Sequence, residues 1–215
     1  ENVFLRRYVS DEFDYHSLIS MYEQERSNTP EKPFFMFNVT MQNHSGYKYT
    51  YSNFDQEIYL TGAMEGKYPK VDQYLSLIKK SDTALQELIE YYSQVDEPTI
   101  ICVFGDHQPS VESAFYEELF GKPTSELTLE EEQKMYVTPF LIWANYDIEE
   151  KTVEDISLNY LSTLLLETAE LPMTAYQQYL AELHKTLPVI TTLGYMDTEG
   201  NWYRIDDESS PYVEL

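Results

Sequence analysis

Thr99-Ile100-Ile101-Cys102-Val103-Phe104-Gly105-Asp106-His107-Gln108-Pro109 decides how the fold is read. Ile100 to Phe104 is a short apolar run rich in β-branched side chains, and Gly105 bounds it, so it reads as a strand. An abrupt polar cluster follows, with a carboxylate and an imidazole side by side. Ligands of open α/β sheets sit outside the carboxyl ends of the strands, which makes such a cluster a candidate site. Upstream, Phe34 to Met41 (FFMFNVTM) reads as a buried strand ending in Gln42-Asn43-His44-Ser45-Gly46-Tyr47. Downstream, Pro139 to Trp143 reads as a third strand ending at Asn145.

Amphipathic stretches separate these runs, which places the chain in the α/β class with a layered architecture. Tyr15, Leu18, Ile19 and Tyr22 recur at helical spacing, with Asp14 as the expected N-cap. Residues 42–70 form a long irregular connection of the kind that carries function. Val71, Leu75, Ile78, Asp82, Leu85, Ile89 and Tyr92 lie on one helix face. Asp82 interrupts that stripe, either as a buried partnered carboxylate or as a break before a second helix capped by Thr83-x-x-Gln86. Ser110 is a candidate cap for a helix ending at Gly121, and Thr128-x-x-Glu131 is a capping box for a helix over 129–136. Ser157 caps a Leu-rich helix through Glu170, and Met173 to Leu187 is a further helix. Val189 to Tyr195 and Trp202 to Ile205 read as a hairpin around Glu199-Gly200-Asn201.

Composition narrows the function. The chain has 215 residues, 42% of them hydrophobic, which is material for a real core. Fourteen Lys and Arg face 38 Asp and Glu, a formal charge of −24. A surface this acidic repels phosphate backbones and excludes nucleic-acid binding through a basic face. It equally excludes a polybasic membrane patch. Cys102 is the single cysteine, inside an apolar run, so an intrachain disulfide is impossible and an inert buried thiol is expected. No run reaches the ~18 apolar residues of a membrane span. The chain opens on Glu1 rather than Met, and the expectation is a piece of a longer protein.

Asp106 and His107 offer mixed oxygen and nitrogen ligands, suited to Mn²⁺, Zn²⁺ or Fe rather than Ca²⁺. An isolated Asp-His pair is equally often an ordinary solvent-facing pair, and a lone histidine such as His44 is more often a hydrogen-bonded structural residue than a ligand. His16 and His184 lie in polar helical stretches and read as surface residues. Two ligands do not hold a catalytic metal, so further ligands are expected from elsewhere, including from outside the chain. No Gly-rich phosphate loop and no Gly-x-Ser-x-Gly elbow is present.

PFFMFNVTMQNHSGY (33–47), TIICVFGDHQP (99–109) and TPFLIWANYD (138–147) occur in this order, followed by the Leu-rich segment from Ser157 to Pro172. From about Arg7 to the tail hairpin, the chain resembles the C-terminal part of the sulfatase-type catalytic domain of lipoteichoic acid synthase-like phosphoglycerol transferases, members of the alkaline phosphatase superfamily. The resemblance implies an alkaline phosphatase/sulfatase-like layered fold, with a central, largely parallel sheet flanked by helices. Residues 1–215 would then be the C-terminal portion of one such domain, with a hairpin near 189–206. It implies Asp106 and His107 as ligands of a divalent metal, Mn²⁺ first, with Mg²⁺ or Zn²⁺ as alternatives. His44 would contact the phosphoglycerol group and Asn43 would line the same pocket, placing His44, Asp106 and His107 in one crevice. The family's nucleophile is a Thr in a segment upstream of this chain, so no catalytic nucleophile is expected here, and Thr40, within a strand, is not promoted to one. The implied activity is transfer of glycerol phosphate from a phosphatidylglycerol-type lipid to a cell-envelope polymer, outside a bacterial membrane, with the membrane anchor also upstream. These 215 residues alone would be inactive and would self-associate through an uncovered sheet face. Sulfatase or phosphodiesterase activity, or a non-catalytic extracytoplasmic binding module, are the alternatives. Gln108 stands where many sulfatases have Gly, which favours phosphoglycerol over sulfate esters.

Overall fold

Two short antiparallel strands, β1 (Phe4–Leu5) and β2 (Tyr8–Val9), turn at Arg6, whose φ of 54° is in the left-handed region. That conformation is uncommon for a side chain as large as arginine. It is held here because the guanidinium is buried over the rings of Tyr8, Tyr47 and Tyr51. The computed structural model, which describes residues 3–212, divides into two compact units. The first runs to Asp96 and includes Pro109–Gly121; the second comprises Glu97–Gln108 and the chain from Lys122 onward.

In the first unit, Ser10 caps α1 (Asp11–Asn28) by accepting the Phe13 N–H, one turn earlier than the expected Asp14 cap. Asp11, Glu12 and Asp14 then lie in the first turn, where the helix dipole favours negative charge. α1 packs on α2 (Pro69–Tyr92). Tyr22 meets Phe34, Tyr91 and Tyr92 edge-on in that contact. α2 is continuous, and Asp82 is exposed, so neither expectation for it holds. The buried stripe is rotated and runs through Gln73, Leu77, Ala84 and Leu88, with Ser81 in the inward place assigned to Asp82. Leu77 joins Leu5, Tyr47 and Phe54 in the core, with Tyr51, Tyr74 and Val111 against it. Buried Asp72 and Ser76 take the N–H groups of Glu57, Ile58 and Leu60, which pins the irregular connection to α2. The unit is completed by α3 (Ser113–Phe120), preceded by Glu112 rather than Ser110 and ended by Gly121 at φ 69°.

Residues 34–41 form no regular element, and among the described residues they pair with no strand. Phe35, Phe37, Val39 and Met41 are exposed, Phe35 to 85%. The buried strand expected here is therefore not observed. The alternation is that of a strand, and no neighbouring strand among the described residues supplies the ladder that would bury it.

In the second unit, β3 (Ile100–Phe104) pairs with β4 (Phe140–Ala144), from Ile100 opposite Ala144 to Phe104 opposite Phe140. Asn145 fixes this direction: its N–H donates to the Thr99 carbonyl and its Oδ1 accepts the Thr99 N–H at 2.7 Å. The pair is antiparallel, as is every strand pair among the described residues, so the largely parallel pairing expected is corrected. Cys102 is half-buried, and burial pushes its thiol pKa up, as suits an inert thiol. α4 (Leu129–Gln133) begins with the full Thr128 capping box. α5 (Leu158–Thr168) and α6 (Ala175–His184) pack together, and the Tyr160 hydroxyl donates to the Leu187 carbonyl. His184 is half-buried with its ring on Tyr160, not a free surface residue. The tail is a three-stranded antiparallel sheet of β5 (Val189–Ile190), β6 (Gly194–Met196) and β7 (Trp202–Arg204).

Candidate functional site

The first cluster grows from the loop after residues 34–41. Gln42 is buried, Asn43 half-buried and His44 exposed. Arg6 Nη2 donates to the carbonyls of Gln42 (2.7 Å) and His44 (2.8 Å), and the His44 N–H closes on the Met41 carbonyl. The Tyr8 hydroxyl meets His44 Nδ1 at 2.9 Å. With its backbone and Nδ1 engaged, His44 presents Nε2 outward. Gly46 is favoured by its φ of 109°, a backbone conformation that side chains rarely adopt, and Arg7 Nη2 lies over the place where a Cβ would stand. Arg7 also lies over the Tyr8 ring, and its bond to Tyr8 raises its pKa. Two of the chain's four arginines thus hold to this loop, Arg6 at the His44 carbonyl and Arg7 by Gly46, in a strongly acidic molecule.

Beneath the loop, the Asn43 amide donates to Ser81 Oγ at 2.8 Å and Tyr47 donates to the Asn43 carbonyl at 2.6 Å. Ser81 donates to Asp11 at 2.5 Å, and Gln42 bridges both. Burial pushes the Asp11 carboxyl up to about 6, opposed by the Ser81 hydroxyl and reinforced by Asp14. The sequence reading missed Arg6, Tyr8, Asp11 and Ser81. The signal available was a pair of arginines in an acidic chain, directly before a tyrosine.

The second cluster follows β3. Gly105 is needed because a Cβ would press on Thr138, whose hydroxyl donates to the Gly105 carbonyl at 2.9 Å. Past it, the side chains of Asp106 and His107 are 84% and 64% exposed, with Asp106 Oδ2 3.6 Å from His107 Nε2. His107 Nδ1 is 2.8 Å from the Gln108 carbonyl. A carbonyl only accepts, so that contact places a proton on Nδ1, and Nε2 is the nitrogen that faces the carboxylate. The pair therefore fits a divalent cation as two ligands of a larger set. Among the described residues no group of three or more His, Cys, Asp or Glu stands ready to hold a metal. Asp106 and His107 border an open groove lined by Phe104, Phe140, Leu161 and Trp202. Asn43 and His44 are together in the first unit, and Asp106 and His107 together in the second.

With these clusters in view, known proteins are informative. The curated "Putative cyclic beta-1,2-glucan modification protein" of Rhizobium meliloti (strain 1021) is 28% identical over 167 residues, 72% of this chain and 25% of that protein. The chain thus spans about a quarter of that relative's length. The solved Streptococcus pyogenes phosphoglycerol transferase GacH, in complex with sn-glycerol-1-phosphate, superposes with a TM-score of 0.62 at 21% identity, over 84% of this chain and 43% of that one. The fold is therefore of the sulfatase/alkaline phosphatase type. No helix among the described residues is long and apolar enough to cross a membrane. A family model described as Sulfatase matches residues 7–171, ending before the three-stranded tail, and on that match the chain belongs to the sulfatase family.

Proposed function

We propose that the chain is part of a metal-dependent phosphoglycerol transferase. The observation that carries the reading is exposed His44, whose backbone carbonyl is held by Arg6 and whose Nδ1 is held by Tyr8, so that Nε2 is the ring nitrogen left for a ligand. Such a group donates a hydrogen bond to a phosphoryl oxygen or to the leaving glycerol oxygen. Asn43 lines the pocket under it. The fold shared with a phosphoglycerol transferase solved with glycerol phosphate supports the substrate class.

Members of this superfamily generally use a divalent metal, and here Asp106 and His107 would hold it, Mn²⁺ before Mg²⁺ or Zn²⁺. When bound, it neutralises phosphoryl charge and acidifies the attacking hydroxyl. His107, its Nδ1 turned to the Gln108 carbonyl, would offer Nε2 as a ligand, and Asp106 would supply a carboxylate oxygen. The nucleophile and remaining ligands are proposed to lie outside these 215 residues. The donor is a phosphatidylglycerol-type lipid, and the setting is the extracytoplasmic face of a bacterial membrane. The name of the Rhizobium relative supports a glucan as acceptor beside a lipoteichoic acid-like polymer.

The test is turnover of phosphatidylglycerol by the longer protein carrying these residues, with Mn²⁺ present. Release of diacylglycerol with glycerol phosphate appearing on a polymer is the expected outcome. The family description itself favours ester hydrolysis as a second reading, and hydrolysis of a sulfate ester with no transfer would decide for it.

A further inference from the structure

We propose that Asp11 is a positioning residue that, through Ser81, sets the loop carrying Asn43 and His44. Asp11 is 2% exposed and sits at the first position of α1, and Ser81 faces it from α2. Proton counting on Ser81 gives the mechanism. A serine hydroxyl has one hydrogen and two lone pairs. A helical serine ordinarily turns that hydrogen onto the carbonyl four residues back. Here the carbonyl is that of Leu77, at 3.3 Å, while Asp11 Oδ2 is at 2.5 Å and carries charge, so Asp11 takes the hydrogen. Both lone pairs then face the loop, accepting from Gln42 Nε2 at 2.9 Å and Asn43 Nδ2 at 2.8 Å.

Gln42 is gripped from its other end as well. Its Oε1 accepts the Asp11 N–H at 3.0 Å, which fixes the orientation of the amide. Two residues on, the same loop presents His44. Arg6, the buried cation of this region, is committed to the loop carbonyls instead of to Asp11. Asp11 is thus a buried carboxylate whose hydrogen-bond partners include Ser81, Gln42 and Thr40, each in the loop, next to it or in contact with it, an arrangement costly for stability alone. Its bearing on substrate rests on the role of His44 proposed above; its hold on the loop does not.

The experiment follows the loop with no substrate present, using amide exchange and the His44 ring signals by NMR on the whole chain. In Asp11→Ala the His44 amide should exchange about tenfold faster, the loss of one hydrogen bond to a charged group, and the ring signals should move. Ser81→Ala should do the same, and the double variant less than the sum of the two, because the Asp11–Ser81 bond is common to both. Asp11→Asn, whose Oδ1 still accepts the Ser81 hydrogen, should restore the loop. Amides at Leu85–Tyr92 should keep their protection, which separates loosening of the loop from loss of the fold. Should Asp11→Ala fail to fold, Ser81→Ala and Asp11→Asn carry the same contrast. An unchanged His44 amide and ring in Ser81→Ala, or additive effects in the double variant, overturns the proposal. A wrong role for His44 produces neither result.

Discussion

In the proposed function, His44 is the residue on which the chemistry turns. In the longer protein, His44→Ala should lower kcat by about 10²- to 10⁴-fold, the usual contribution of a positioned proton donor. Steady-state kinetics on the lipid donor check this, and an unchanged kcat would remove His44 from the site. Asp106→Ala should abolish metal-dependent turnover with the melting temperature nearly unchanged, since the side chain is 84% exposed and contributes little packing. Full activity of that variant at saturating Mn²⁺ would reject the ligand assignment. Asp11 makes a prediction about stability. Its folded pKa of about 6 lies above the ordinary 3.8, so the folded state holds the extra proton between those values. Its contribution is present below about pH 4 and is lost as pH rises through 6, a change on the order of 3 kcal/mol. Thermal midpoints across pH 4–7 should therefore fall more steeply in the parent chain than in Asp11→Asn, and identical slopes would contradict the shift.

At the scale of the element, caps and turns were the most legible parts of the sequence. Thr128 with Glu131 and Gly121 stand where local pattern puts them, because capping and left-handed backbone depend on a few adjacent residues. β3 and β4 were equally legible, each a five-residue apolar run. Their antiparallel direction was not, because it rests on Asn145 clamping Thr99 across 46 residues. Phe34–Met41 has the composition of a strand, but a strand needs a neighbour, and composition does not name one. The cap of α1 went to Ser10 because its hydroxyl reaches the Phe13 N–H, and the periodic pattern gave no reason to start the helix that early. Ser10→Ala should cost ~1 kcal/mol in denaturant unfolding. Asn43, His44, Asp106 and His107 were found as polar residues at the ends of apolar runs. Arg6, Asp11 and Ser81 were not, since they reach the loop from 31 to 39 residues away in the chain. The tail carries one severe constraint: a Cβ at Gly194 would collide with the Tyr203 carbonyl, so Gly194→Ala should unzip β6 from β7 and cost more than ~2 kcal/mol.

For the whole molecule, a charge of −24 is compatible with an anionic headgroup only where local cations dominate the field. Arg6 and Arg7 supply that beside His44, and a bound metal would supply it at Asp106 and His107. With only two ligands, the chain as given should bind Mn²⁺ weakly by calorimetry and turn over no phosphodiester; tight binding together with turnover would mean that the catalytic set is complete within it. The most direct test is Mn²⁺-dependent release of diacylglycerol from phosphatidylglycerol by the longer protein, measured side by side for the wild type, His44→Ala and Asp106→Ala. Release by the wild type, with at least a hundredfold loss in each variant, is the expected result. Wild-type rates in either variant would contradict the proposed role of that residue in phosphoglycerol transfer.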